Sequence, residues 1–190
     1  MQLLKERIKK DGRIIGDDIL KVDSFLNHQI DPSLMDSIGA EFYRLFSDVK
    51  VDRVLTIEAS GIAAAVMTAK YFGCPLVFAK KSRTVNQSAS VYSSKAFSFT
   101  HKTENNVIVS REFIRPGENV LIIDDFLANG CALRALKDIV LQAGANPVGA
   151  GIIIEKAFQP GGDDLRAEGL RIESLARIKS MSEKEGIEFL

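Results

Sequence analysis

The sequence predicts an α/β fold, with a central, mostly parallel sheet flanked by helices. Three observations lead there. Short apolar runs of strand length alternate with helical patterns, as βαβ units require. The apolar runs each end in charged or loop-forming residues, which gives the sheet one polar rim. The chain has 190 residues, of which 46% are hydrophobic. One domain over 1–190 is therefore expected, and a chain of this size buries about 70% of its unfolded surface without disulfides or structural metal.

The elements follow in order. Residues 3–10 place Leu and Ile at helical spacing among lysines. The stretch from Ser33 to Ser47 reads as an amphipathic helix opened by Asp31-Pro32. Residues 51–57, VDRVLTI, read as a strand, and 61–72, GIAAAVMTAKYF, as a helix of small apolar residues that packs closely on a sheet and ends at Gly73. Pro75–Ala79 is the next strand. Lys80 to Thr103 is a polar loop rich in Ser and Lys, then a hairpin strand, VYSSKAFSF, paired with NVIVS. Arg115-Pro116-Gly117 is a turn, Asn119–Ile123 a buried strand, and Ala132–Ala143 a helix ended by Gly144. Pro147–Ile154 is a strand. QPGGDD reads as a loop, and IESLARIKS and EGIEFL as two short strand-like segments.

Composition narrows the function. Lys+Arg and Asp+Glu number 25 each, so the net charge is zero. This argues against a general nucleic-acid binder, which would carry a basic excess, and against a polyacidic tail protein. A strongly anionic small ligand stays possible where charge is arranged locally. Two cysteines, Cys74 and Cys131, without a CxxC, make neither a disulfide framework nor a zinc finger. His28 and His101, the two histidines, exclude a His-rich metal site. MQLLKERIKKDG has no apolar signal core, and no apolar run approaches a membrane span, so a reduced, soluble, cytoplasmic chain is expected.

In parallel sheets, ligands bind beyond the carboxyl ends of the strands. Those ends carry Glu58-Ala59-Ser60-Gly61, Lys80-Lys81-Ser82-Arg83, Asp124-Asp125 and Glu155-Lys156. The most specific stretch is NVLIIDDFLANGCA, Asn119 to Ala132. Its strand ends in two carboxylates, and a short loop containing Gly130 then opens a helix. Backbone amides at a helix N-terminus lack partners and the helix dipole favours an anion there. Small residues, Ala128, Gly130 and Ala132, admit a phosphate to the backbone. Asp124 and Asp125 would repel that phosphate, so they suit sugar hydroxyls or a metal-bound water. The combination asks for a phosphorylated sugar. No GxxxxGK[ST], no GxGxxG after the first strand and no GxSxG elbow occurs, which sets aside nucleoside triphosphatases, dinucleotide binders and hydrolases.

NVLIIDDFLANGCA resembles the phosphoribosyl pyrophosphate signature of type I phosphoribosyltransferases, and the resemblance covers essentially the whole chain. It implies that family's fold, with a core over about 36–157 and a small hood from about 1–35 and 158–190. It also implies Mg2+ carried by substrate and water, with no metal ligand among the side chains, a homodimer and a purine-salvage role. The chain departs from the common signature at Asn129, Cys131 and Ala132, where Thr, Gly and a hydroxyl residue are usual. Backbone amides of 128–132 would then carry more of the phosphate contact. By the same resemblance, Glu58, Ala59, Ser60 and Gly61 form a pyrophosphate loop and Lys81 supplies charge beside the pyrophosphate, with Lys80 and Arg83 nearby. Residues 82–99 form a mobile loop.

The resemblance also directs attention to the acceptor base. Lys156 can only donate hydrogen bonds, which suits a 6-oxopurine and opposes adenine. Phe158 can stack on the purine face or equally serve as an aromatic of the hood core. Leu20 and Asn27, in LKVDSFLNHQID, correspond to base-contacting positions, and Asn27 offers a donor and an acceptor to an edge with a 2-oxo group. The acceptor expected on overall resemblance is xanthine, with guanine or hypoxanthine as alternatives. A nonenzymatic sensor of phosphoribosyl pyrophosphate is the other class. No basic recognition helix stands in the first 50 residues to support it.

Overall fold

The computed structural model describes residues 1–82, 90–98 and 103–190. Arg83, and the parts of the expected mobile loop at 83–89 and 99, lie outside the described residues. The chain opens with α1 (Gln2–Asp11), a two-stranded hairpin of β1 (Arg13–Ile15) and β2 (Ile19–Lys21), and a short π-helical turn at Asp23–Asn27. Then come α2 (Pro32–Leu45), β3 (Arg53–Ile57), α3 (Ile62–Phe72) and β4 (Leu76–Ser82). The hairpin β5 (Val91–Ser98) and β6 (Thr103–Ser110) leads to β7 (Asn119–Leu127), α4 (Cys131–Gln142) and β8 (Asn146–Lys156). The chain closes with α5 (Gly161–Ala167), β9 (Ile172–Ser182) and β10 (Gly186–Phe189).

Among the described residues, eight strands form one sheet in the order β10-β9-β8-β7-β3-β4-β6-β5. The five strands from β9 to β4 are parallel, while β10 and the β5–β6 hairpin extend the edges antiparallel. Alternation along the strands sends side chains to two cores. Leu121 and Ile123 of β7 join the core under α1, α2 and α3, and Val120 and Ile122 join the one under α4.

Local chemistry explains the helix boundaries. The Asp31 carboxylate accepts from the amides of Ser33 and Leu34, both at 3.1 Å, with Pro32 in the first turn. Gly73 closes α3 in the left-handed conformation, at φ 65°. Ala64, Ala65 and Ala69 of α3 are buried in one core with Val54 of β3 and with Leu121 and Ile123 of β7, and α2 also packs closely on this helix. A Cβ on Gly39 of α2 would stand 2.7 Å from the Met67 carbonyl carbon of α3.

Four features differ from the sequence reading. β7 does not stop at Ile123. It stays paired to β8 as far as Leu127, opposite Glu155, so Asp124 and Asp125 lie within a strand. QPGGDD is not a loop, because Gly161–Ala167 turns into a helix whose first turn holds Asp163 and Asp164, where acids suit the dipole. IESLARIKS is a strand as read, but a longer one, β9, which runs to Ser182 as a parallel member of the central sheet. The β1–β2 hairpin has strands of three residues each, too short to show a period.

The chain ends meet. Lys5 Nζ donates to the Leu190 carbonyl (2.7 Å), and the Gly16 amide donates to Glu183 Oε1 (2.8 Å).

Gly39→Val should overpack the α2–α3 contact at a cost of about 1–3 kcal/mol. For a chain of this size each kcal/mol lowers Tm by ~2–4 °C. Thermal unfolding checks this, and an unchanged Tm would mean the helices separate freely.

Candidate functional site

β3 and β7 share three register pairs, ending at Leu55 opposite Ile122, and then part. β3 leads through α3 to β4 on one side, and β7 leads through α4 to β8 on the other. A crevice opens at the carboxyl ends where an α/β sheet reverses direction, and this is where such sheets bind ligands. Lys81, the 58–61 loop, Asp124, Asp125 and the 128–132 loop gather around it.

The loop after β3 is tied to β4. The Glu58 amide donates to the Ala79 carbonyl (3.1 Å), and Glu58 Oε1 accepts from the Lys81 amide (2.7 Å). The Glu58 carboxylate is therefore engaged in holding the loop, whose Glu58-Ala59 peptide is cis. Ala59 is exposed and Ser60 half-buried. Gly61 is buried and is glycine for a visible reason: a Cβ there would stand 2.3 Å from Thr56 Oγ1 and 3.4 Å from Asp124 Oδ1. Thr56 is fully buried and its hydroxyl has no partner among the described residues.

The two acids sit side by side and differ. Asp124 is 4% exposed, whereas Asp125 is half-buried. The Asp125 amide donates to Asp124 Oδ1 at 3.0 Å. Burial, reinforced by the Asp125 charge, pushes Asp124 well above the usual carboxylate range. Burial raises Asp125 too, but the hydrogen bond from the Asp124 carboxyl holds it back. Burial thus favours protonation of the pair. Lys81 lies close enough for its charge to act on both acids.

The loop after β7 has the form of an anion cradle. Gly130 adopts φ 79°, and α4 begins at Cys131 with no side-chain cap. The Arg134 amide returns to the Gly130 carbonyl at 2.9 Å. The amides of residues 131–133 thus precede the first helical bond and have no partner within the helix. Ala128, Asn129, Cys131 and Ala132 are half-buried around it.

Lys156 is half-buried. Its Nζ donates to the Asp18 carbonyl in the β1–β2 turn and lies 6.0 Å over the Phe126 ring. Burial lowers its pKa, partly countered by the Asp18 charge. Lys156 thereby ties β8 to the hairpin that carries Leu20. Leu20 itself is buried in the core cluster below, Asn27 ends the π-helical turn in an exposed position, and Phe158 is 42% exposed beyond Lys156. Sequence reasoning missed Thr56, Phe126 and the Asp18 carbonyl. Nothing in residue type marks these three, because each matters through its neighbours.

Among the described residues, no three His, Cys, Asp or Glu side chains group as a metal cage, and no helix is long and apolar enough to cross a membrane.

The phosphoribosyl transferase domain model matches residues 27–168. A xanthine phosphoribosyltransferase of Lachnoclostridium phytofermentans is 54% identical, over 98% of this chain and 96% of its own length. Those of Lacticaseibacillus casei and Laribacter hongkongensis are 53% and 52% identical, over 95% and 97% of this chain and 94% and 98% of theirs. Two solved structures share the fold. The adenine phosphoribosyltransferase from Thermoanaerobacter pseudethanolicus superposes with a TM-score of 0.74 at 21% identity, over 92% of this chain and 99% of that one. The enzyme from Rhodothermus marinus gives 0.75 at 21%, over 93% and 99%.

The raised pKa of Asp124 has a consequence for stability. An acid raised by folding stabilises fully below its unfolded value of about 3.9, and the benefit fades as pH climbs towards the folded value. Asp124→Asn carries no such loss. Its stability relative to the wild type should therefore grow steadily from pH 4.5 towards pH 8, read as a widening difference in Tm. A Tm difference that stays flat with pH would show that Asp124 ionises freely in the folded chain.

Proposed function

The chain belongs to the phosphoribosyl transferase family, and from that premise we propose that it moves ribose 5-phosphate from 5-phospho-α-D-ribose 1-diphosphate to xanthine, releasing diphosphate, in purine salvage. The observation that carries the reaction type is the juxtaposition at one crevice of an uncapped helix N-terminus, two adjacent acids linked by a backbone hydrogen bond and a lysine. Relatives about 50% identical along nearly their whole length support xanthine as the base.

On this reading the 5′-phosphate sits on the amides of 128–132, and Asp124 and Asp125 accept from the ribose diol. The 58–61 loop faces the diphosphate, with Lys81 beside it. In the reaction the bond from the ribose C1 to the diphosphate oxygen breaks as an imidazole nitrogen of the base bonds to that carbon. The electron pair leaves with diphosphate and the base proton passes to solvent. Positive charge on the sugar and negative charge on the leaving group develop together. Lys81 and the loop amides meet the negative charge in place, while the cradle and the acids hold the sugar for in-line attack. No protein nucleophile is required.

The acid pair fits Mg2+ held through substrate oxygens and water, since two adjacent carboxylates offer hard oxygen donors but no complete cage. Bound there, the ion neutralises the diphosphate charge. We further read the chain as a cytoplasmic homodimer, which the family resemblance supports.

Lys156, held near Phe126 under the hairpin, is the donor for the 6-oxo group, with Asn27, Leu20 and Phe158 around the base. Guanine and hypoxanthine share that 6-oxo group, so the assay must compare them. Diphosphate release with Mg2+, phosphoribosyl pyrophosphate and each purine in turn should be fastest with xanthine. No turnover with any base would overturn the enzyme reading, and preference for adenine would overturn the role of Lys156. Lys156→Met should lower kcat/KM for xanthine by ~10–100-fold, the worth of one charged hydrogen bond of about 1.5–3 kcal/mol. Selectivity between xanthine and adenine should narrow with it.

A further inference from the structure

We infer that the buried Glu155–Arg166 ion pair and the Gly161-Gly162 step of α5 are positioning parts of the site, which hold the 128–130 loop in fixed register with Lys156. This rests on the proposed reaction and names residues that it does not yet use. Gly161 is the back wall of the loop. A Cβ there would lie 2.4 Å from the Ala128 oxygen, the Asn129 carbonyl carbon and the Gly130 nitrogen, and the Gly161 amide donates to the Ala128 carbonyl at 3.2 Å. From the other side, a Cβ on Gly130 would meet Leu165 of α5 at 3.0 Å. The loop can therefore take its shape only where α5 leaves it room.

α5 is anchored in turn by one buried charge. Glu155 is 1% exposed. Both its oxygens accept from the Arg166 fork at 2.7 Å, and Arg177 Nε stands 3.2 Å away. A Cβ on Gly162 would come within 2.5 Å of Glu155 Oε1, so the second glycine admits this pair as the first admits the loop. Glu155 immediately precedes Lys156, and adjacent strand residues face opposite ways. One side of the β8 end thus fixes α5 and the phosphate loop, and the other presents Lys156. The exposed pairs of Glu168 with Arg134 and Lys137 add little by comparison.

The test uses the full chain with Glu155→Gln, Arg166→Lys and Gly161→Ala. A shifted loop should weaken the 5′-phosphate end selectively. In Glu155→Gln and Gly161→Ala, KM for phosphoribosyl pyrophosphate and the Kd of ribose 5-phosphate should rise together by ~10-fold, about 1.4 kcal/mol. The Kd of Mg2+-diphosphate should stay within about 2-fold. Arg166→Lys keeps the charge without the fork and should fall between them and the wild type. Lower Tm with unchanged ribose 5-phosphate affinity, read at a temperature where all variants are folded, would overturn the inference by making the pair merely structural. Should Glu155→Gln not fold, Gly161→Ala decides alone, since it alters the loop contact without touching the ion pair. A wild type that releases no diphosphate, while ribose 5-phosphate binding still weakens in the variants, would overturn the proposed reaction and leave the positioning role standing.

Discussion

The structure depends on the point where β3 and β7 stop pairing. Three register pairs hold them together, and beyond Ile122 each strand follows a different neighbour, β3 to β4 and β7 to β8. Had the pairing continued, backbone hydrogen bonds would have filled the gap and Asp124 would face another strand. The parting leaves two loops and a strand end around a common opening. Gly61 and Gly130 then let those backbones approach it closely, the first beside Thr56 and Asp124, the second against α5.

Electrostatics follow from that opening. The chain as a whole is neutral, 25 basic against 25 acidic groups, so no global field draws a polyanion in. Charge is matched over a few ångströms instead. The α4 N-terminus and Lys81 supply positive potential, while two acids stand within the same crevice. Burial favours the protonated forms of both acids, which eases their place beside the proposed phosphate site. A diol or a hydrated cation can take up the pair without breaking a committed salt bridge.

Much of this was legible in the sequence, and what was hidden has a physical pattern. Helix starts and stops at Asp31-Pro32 and Gly73 could be read because capping chemistry is local. NVLIIDDFLANGCA could be read as a loop opening a helix for the same reason, since loop, glycine and helix start are contiguous. The strand boundary at Ile123 misled because two aspartates look like a strand end, whereas β8 keeps pairing through them. QPGGDD misled because a glycine pair signals a loop, yet these glycines are set by non-local contacts with the 128–130 loop and with Glu155. Lys156 was picked out by its place after a strand, but its attachment to Asp18 joins residues 138 apart in the chain, and no local pattern encodes that.

That long-range contact bears on selectivity. The Lys156 ammonium donates to the Asp18 carbonyl, and burial weakens its hold on the proton. On the proposed reading, a 6-oxopurine exchanges one carbonyl acceptor for another, and the lysine gives up little. A 6-amino group offers only donors at that place, so it would displace the Asp18 carbonyl and leave two donors facing each other in a half-buried space. The penalty for a stranded buried polar group is about 1–3 kcal/mol, and more for a charged one. Discrimination then comes less from attraction to the right base than from the bond the wrong base cannot replace. On that same reading the β1–β2 hairpin belongs to the specificity device, because its turn holds the Asp18 carbonyl that Lys156 meets.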